Sequence, residues 1–166
     1  MSNFNLTYFL QFIVLVLIQV LILDHILFLG YINPYLYILF VLGLPLNLNR
    51  AYILLLSFAL GLCIDLFNDT GGVHAASTLF IAYLRPFILR LSFGNSYDYN
   101  TLKLNKTDFK EQFLYVVIMV FIHHLLMFSL EYFSINYTVE ILKNTLLSGI
   151  FSSILIFTTL RLIYKA

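Results

Sequence analysis

Two acids and a histidine fall within ten residues of one another in the stretch Gly61-Leu-Cys-Ile-Asp-Leu-Phe-Asn-Asp-Thr-Gly-Gly-Val-His-Ala-Ala-Ser77. Asp65 and Asp69 are four positions apart and share a face if a helix continues that far, with His74 close behind, so the spacing admits a cation site. The donor set is thin for it. Zinc takes three or four ligands rich in nitrogen or sulfur, and hard cations want more oxygens than two carboxylates supply. A turn accounts for more of the residues. Asn68, Asp69 and Thr70 are capping and turn formers, Gly71-Gly72 permits positive backbone angles, and Ala75, Ala76 and Ser77 allow a close helix approach. A polar contact to a ligand or partner is the third use these side chains admit. Asp65 stands apart, because it lies inside an apolar run, and a carboxylate near hydrocarbon must find a donor, a cation or water. One turn before it, Ser57-x-x-x-Gly61 is a pattern that brings helix backbones together, so a close helix contact buttressed by a carboxylate is expected.

Other polar residues sit inside apolar runs. His123-His124 offers a proton relay or a ligand contact, yet consecutive residues on a helix are about 100° apart and cannot both face one point. A neutral, hydrogen-bonded structural role is the expectation for His123. Gln11 and Gln19 suit hydrogen bonds between helices, and Ser148-x-x-x-Ser152 and Gly149-x-x-x-Ser153 form a second close-packing face. Arg85-Pro86 reads as a kink with an arginine that snorkels to headgroups, or else binds a neighbouring helix end, a partner or a lipid phosphate. Cys63 is the sole cysteine, so no disulfide within the chain and no cysteine-based zinc site is expected. There is no nucleophile elbow, phosphate-cradling glycine loop or His-Glu-x-x-His, so catalysis is not expected.

The elements that must position these residues follow from composition. The chain has 166 residues, 61% hydrophobic and 10% charged, against about 25% charged in an average soluble domain. A net charge of +1 gives no reason to expect nucleic acid. With no Trp, the aromatic rings at the membrane surfaces must come from its 12 Tyr and 17 Phe. The first apolar run is too long for a signal-peptide core, lacks a cleavage site, and reads as a retained span.

Crossing hydrocarbon takes roughly 20 apolar residues, and six segments meet or approach that length, at about 6–29, 34–48, 51–67, 74–91, 113–133 and 145–163. The second is short and contains Gly43 and Pro45. Residues 95–112 form the only long polar loop. The sequence therefore predicts an all-α membrane protein, one domain of six transmembrane helices in a compact bundle. Cations near helix ends stay on the cytoplasmic side. With both termini inside, the inner loops collect Arg50, Arg85, Arg90, Lys103, Lys106, Lys110, Arg161 and Lys165, leaving only Lys143 outside. The same topology puts the opening stretch on the outer surface with Asp24, Glu131 and Glu140.

Three pieces of sequence resemble a known family: Pro34-Tyr-Leu-Tyr-Ile-Leu-Phe-Val-Leu-Gly-Leu-Pro45, Gly61-Leu-Cys-Ile-Asp65, and Gly71-Gly72-Val-His-Ala75. The glycine-x-x-x-aspartate ending the third helix and the glycine-rich reversal into an alanine-rich fourth helix resemble the rod shape-determining protein MreD family of the bacterial inner membrane. Length, helix number and orientation agree along the whole chain. The resemblance implies a scaffold without catalytic residues or cofactors that binds MreC and helps couple MreB filaments to RodA and a class B penicillin-binding protein during peptidoglycan synthesis. The fold it implies is similar to the S components of energy-coupling-factor vitamin transporters. That similarity brings a rival, a membrane protein that binds a small molecule in an outer pocket, for which Asp65, Asp69, His74, Glu131 and Glu140 are available. S components dock their energising module through alanine motifs on the first helix; this first helix has no alanine, which favours the scaffold. A flippase or proton-coupled carrier using His123 and Asp65 has no internal repeat behind it.

Overall fold

Apolar runs of this length become helices because hydrocarbon offers no partner to backbone N–H and C=O groups, which must be satisfied within the segment or by other parts of the protein. The computed structural model describes residues 2–26, 30, 32–46, 48–94 and 107–165, without the side chains of 2–5 and 163–165. Among the described residues there are six α-helices and no strand: α1 (Ser2–Leu21), α2 (Ile38–Gly43), α3 (Arg50–Asn68), α4 (Val73–Phe93), α5 (Phe109–Tyr132) and α6 (Thr138–Lys165). Single 3-10 turns, Leu23–His25 and Ile135–Tyr137, follow α1 and precede α6. Five stretches, Leu6–His25, Arg50–Asn68, Val73–Phe93, Phe109–Tyr132 and Ile135–Leu162, are long and apolar enough to cross a membrane.

Helices α3, α4, α5 and α6 pack each on the next, α1 lies against α3, and α2 touches α1, α3, α4 and α5. The bundle is apolar outside and partly polar inside. Leu10, Leu17, Leu55, Leu66, Phe87 and Leu146 are exposed, whereas Gln19, Asp65, His74, Arg85, His123, His124 and Ser152 are buried. That inversion of the usual order is what a lipid solvent demands.

The second segment departs from the expectation of a sixth spanning helix. Only Ile38–Gly43 is helical, a rise of about 9 Å against a hydrocarbon core of roughly 30 Å. The residues before it are not helical, and Tyr35 to Leu42 are all buried. An apolar run cannot by itself distinguish a spanning helix from a strut enclosed by protein, because both need apolar side chains. Helix α1 also ends before position 29, at Leu21, and residues 27–29 lie outside the described residues. Helices α5 and α6 begin earlier than 113 and 145, at Phe109 and Thr138, since polar first turns such as Lys110-Glu111-Gln112 are helical without being apolar. The polar loop therefore ends by Asp108, and residues 95–106, with Lys103 and Lys106, lie outside the described residues.

Candidate functional site

Asp65 finds its partners across the α3–α4 turn. One carboxylate oxygen accepts from the Thr70 hydroxyl at 2.5 Å and from the His74 amide at 2.9 Å, and the other accepts from the Ala75 amide at 2.8 Å. Gly72 holds the N-cap position of α4 with φ 98° and no side chain to cap with. His74 and Ala75 are the second and third residues of that helix, whose amides an N-cap side chain normally satisfies. Asp65 does this work from the neighbouring helix, and its charge faces the positive end of the α4 dipole. The reversal itself uses Asp69 at φ 55° and Gly71 at φ 62°. Below it, a Cβ added at Gly61 would lie 2.5 Å from both the Ala75 Cα and the His74 carbonyl oxygen, so only glycine lets α3 and α4 meet there.

Beside the turn is a cavity of about 170 Å³ lined by Asp24, Asn33, Tyr35, Asn68, Thr70, Val73, His74 and Glu131. Asp24 is braced on both sides, accepting from the Gln19 amide at 2.7 Å and from the Asn68 amide at 2.8 Å. From the cavity a buried hydrogen-bonded chain enters the bundle. His74 Nδ1 lies 2.7 Å from the Tyr37 hydroxyl, which lies 2.9 Å from His123 Nε2. One hydroxyl carries one proton, so Tyr37 donates to one imidazole and accepts from the other. His123 Nδ1 is buried without a partner among the described residues, and a proton there would be an orphaned donor in the core. The favoured arrangement has His123 donating from Nε2, Tyr37 donating to His74 Nδ1, and His74 carrying its proton on Nε2.

His124 serves a different contact. Its Nδ1 donates to the Val120 carbonyl at 2.8 Å, and its Nε2 lies 3.2 Å from the Ser152 hydroxyl, which accepts from the Tyr35 amide at 2.8 Å. Ser152 thus donates to His124 while it holds the non-helical lead into α2. Gln19 completes that hold: its amide oxygen accepts from the Leu36 and Tyr37 amides at 2.8 and 3.4 Å, and its nitrogen donates to the Pro34 carbonyl at 3.0 Å. Gln19 braces an extended segment, where the sequence suggested a helix-to-helix bond.

Arg85 holds the other end of α2. It is 2% exposed, which corrects the expectation that it snorkels to headgroups in favour of the other reading, that it binds a neighbouring helix end. Its Nε donates to the Tyr115 hydroxyl at 3.0 Å, and its Nη2 donates to the Leu42 carbonyl at 3.2 Å and to the Leu44 carbonyl. These carbonyls are the open C-terminal end of α2 and carry partial negative charge. Helix α4 runs through Pro86 to Phe93 without a break, which leaves the Ala82 carbonyl without its usual amide partner.

Comparisons with protein-family models, curated proteins and solved structures give no match for this chain.

The structure brings Gly61, Asp65, Gly71, Gly72 and His74 together at one turn, with Asp24 and Glu131 at the adjoining cavity. Asp69 is an exposed helix C-cap and Glu140 is exposed on the first turn of α6, and neither lines the cavity. His123 connects to the group through Tyr37, whereas Arg85 lies at the far end of α2. No cluster of three or more His, Cys, Asp or Glu side chains fit to hold a metal ion occurs among the described residues. Sequence reasoning missed Tyr37, Asn33 and Tyr115. A tyrosine in an apolar run looks the same whether it belongs to a membrane belt or to a buried hydrogen-bond chain.

Proposed function

We propose that this chain is a non-catalytic scaffold of the bacterial inner membrane, an MreD-like component of the rod elongation machinery. In this reading the α3–α4 turn faces outward and both termini are cytoplasmic, because residues 34–46 make a sixth passage, from the cavity end at Asn33 and Tyr35 to the Arg50–Arg85 end, with only Ile38–Gly43 helical. The chain binds MreC and so helps couple MreB filaments to RodA and a class B penicillin-binding protein. The observation that carries the reading is the filled centre of the bundle. Tyr37, Ile38, Val41 and Leu42 are fully buried, so a strut occupies the place where a carrier would keep a passage. The five long apolar helices support the membrane setting, and the distribution of Lys and Arg supports the orientation.

The S-component-like reading rests on the polar cavity beside the turn. Its roughly 170 Å³ is smaller than the roughly 300 Å³ at which ligand pockets begin, and this favours the scaffold. Depletion in a rod-shaped host should round the cells, and detergent extraction of the tagged chain should recover MreC. Normal rods, no MreC and a new dependence on an added vitamin would overturn the scaffold in favour of the S-component-like reading.

A further inference from the structure

At the end of the bundle opposite the α3–α4 turn, two guanidinium groups border one cavity. Arg50, the first residue of α3, and Arg85, two turns inside the end of α4, line a space of about 230 Å³ whose other walls are apolar, among them Leu46, Ile53, Ala82 and Leu89. No carboxylate lines it among the described residues. Arg85 is buried, and its partners among the described residues are all neutral: the Tyr115 hydroxyl and the Leu42 and Leu44 carbonyls. A guanidinium does not give up its proton in a protein, so its whole charge stays at this depth. The carbonyl end of a helix supplies at most about half an opposing charge, and a buried ion left under-compensated is costly. Arg50 adds a second charge at the rim, held over the Tyr83 ring with 4.8 Å to its centroid, and the end of a spanning helix lies at headgroup level.

We propose that this cavity seats the phosphate of an anionic phospholipid, with Arg85 beneath it and Arg50 at its mouth. Guanidinium groups bind phosphate oxygens through paired, charge-assisted hydrogen bonds, and basic pockets between membrane helices suit acidic headgroups. Free phosphate offers the same oxygens, but only a lipid also covers the apolar walls. The inference depends on membrane embedding alone and stands or falls independently of the scaffold reading.

The test is the thermal midpoint of the intact purified protein in an uncharged detergent, titrated with phosphatidylglycerol, phosphatidylcholine or inorganic phosphate. Phosphatidylglycerol at a hundred times its Kd should raise the midpoint by roughly 5–10 °C, whereas the other two at equal concentration should leave it within about 1 °C. Arg50 is exposed, so Arg50→Gln should keep the lipid-free midpoint and lose most of the shift, and Arg50→Lys should retain most of it. An equal shift from inorganic phosphate would overturn the lipid assignment and leave a free-anion site. An equal shift from phosphatidylcholine, or an undiminished response in Arg50→Gln, would overturn the site itself.

Discussion

Asp65 shows how one side chain can stand in for a missing cap. Gly72 is needed at the start of α4 for its positive φ of 98°, and a glycine has nothing with which to satisfy the first amides of the helix. Asp65→Ala should therefore cost about 2–3 kcal/mol, since it leaves two amides and the Thr70 hydroxyl unsatisfied. Asp65→Asn should cost less, because it retains an acceptor but not the charge facing the helix dipole. His74→Ala keeps its main-chain amide and should cost about 1 kcal/mol. Unfolding in detergent measures all three, and equal, negligible losses for Asp65→Ala and His74→Ala would remove Asp65 from this role. The need for a partner was legible in the sequence, because an acid flanked by Ile64 and Leu66 cannot be left bare in hydrocarbon. The identity of the partner was not, since main-chain amides carry no sequence signature. For Arg85 the sequence left two uses open, snorkelling or binding a neighbouring helix end, and could not choose between them, because nothing in Arg85-Pro86 indicates that α2 ends beside it in space.

At the scale of elements, α2 behaves as a strut tied at both ends, by Gln19 and Ser152 at its entry and by Arg85 and Tyr115 at its exit. Its non-helical flanks lie at a depth where irregular backbone survives only when protein encloses and satisfies it. Gln19→Leu should cost about 2–3 kcal/mol, because it removes the acceptor for two amides and the donor to Pro34. Gln11→Leu, on the same helix, should cost less than about 1 kcal/mol. Unfolding of the two variants side by side checks this, and equal losses would mean that Gln19 does not brace the segment. The four long helices after α2 were legible from apolar runs, and Gly61 from its small-x-x-x-small spacing. The shape of α2 was not, since its apolar side chains fit either a spanning helix or a buried strut.

For the whole molecule, the exposed apolar surface and the polar interior belong together, because Gln19, Asp65, His74, Arg85 and His124 have been withdrawn from the surface and bonded inside. The proposed sidedness rests on the distribution of Lys and Arg and has a direct check. In a Cys63→Ser background, Asp69→Cys should react with a membrane-impermeant maleimide on intact cells, and Asp108→Cys only after permeabilisation; the reverse pattern would invert the orientation. Both positions are exposed. The bundle geometry also sets an order of assembly. The Tyr35 amide waits for a serine 117 residues further along the chain, and the exit of α2 waits for Arg85. Until α4 and α6 have been made and inserted, residues 34–44 have no stable place in the bilayer, so a part of the core synthesised before four of the long helices is locked in only after the last of them. The remaining helices can enter the membrane one at a time, but this segment can only be closed over by its neighbours.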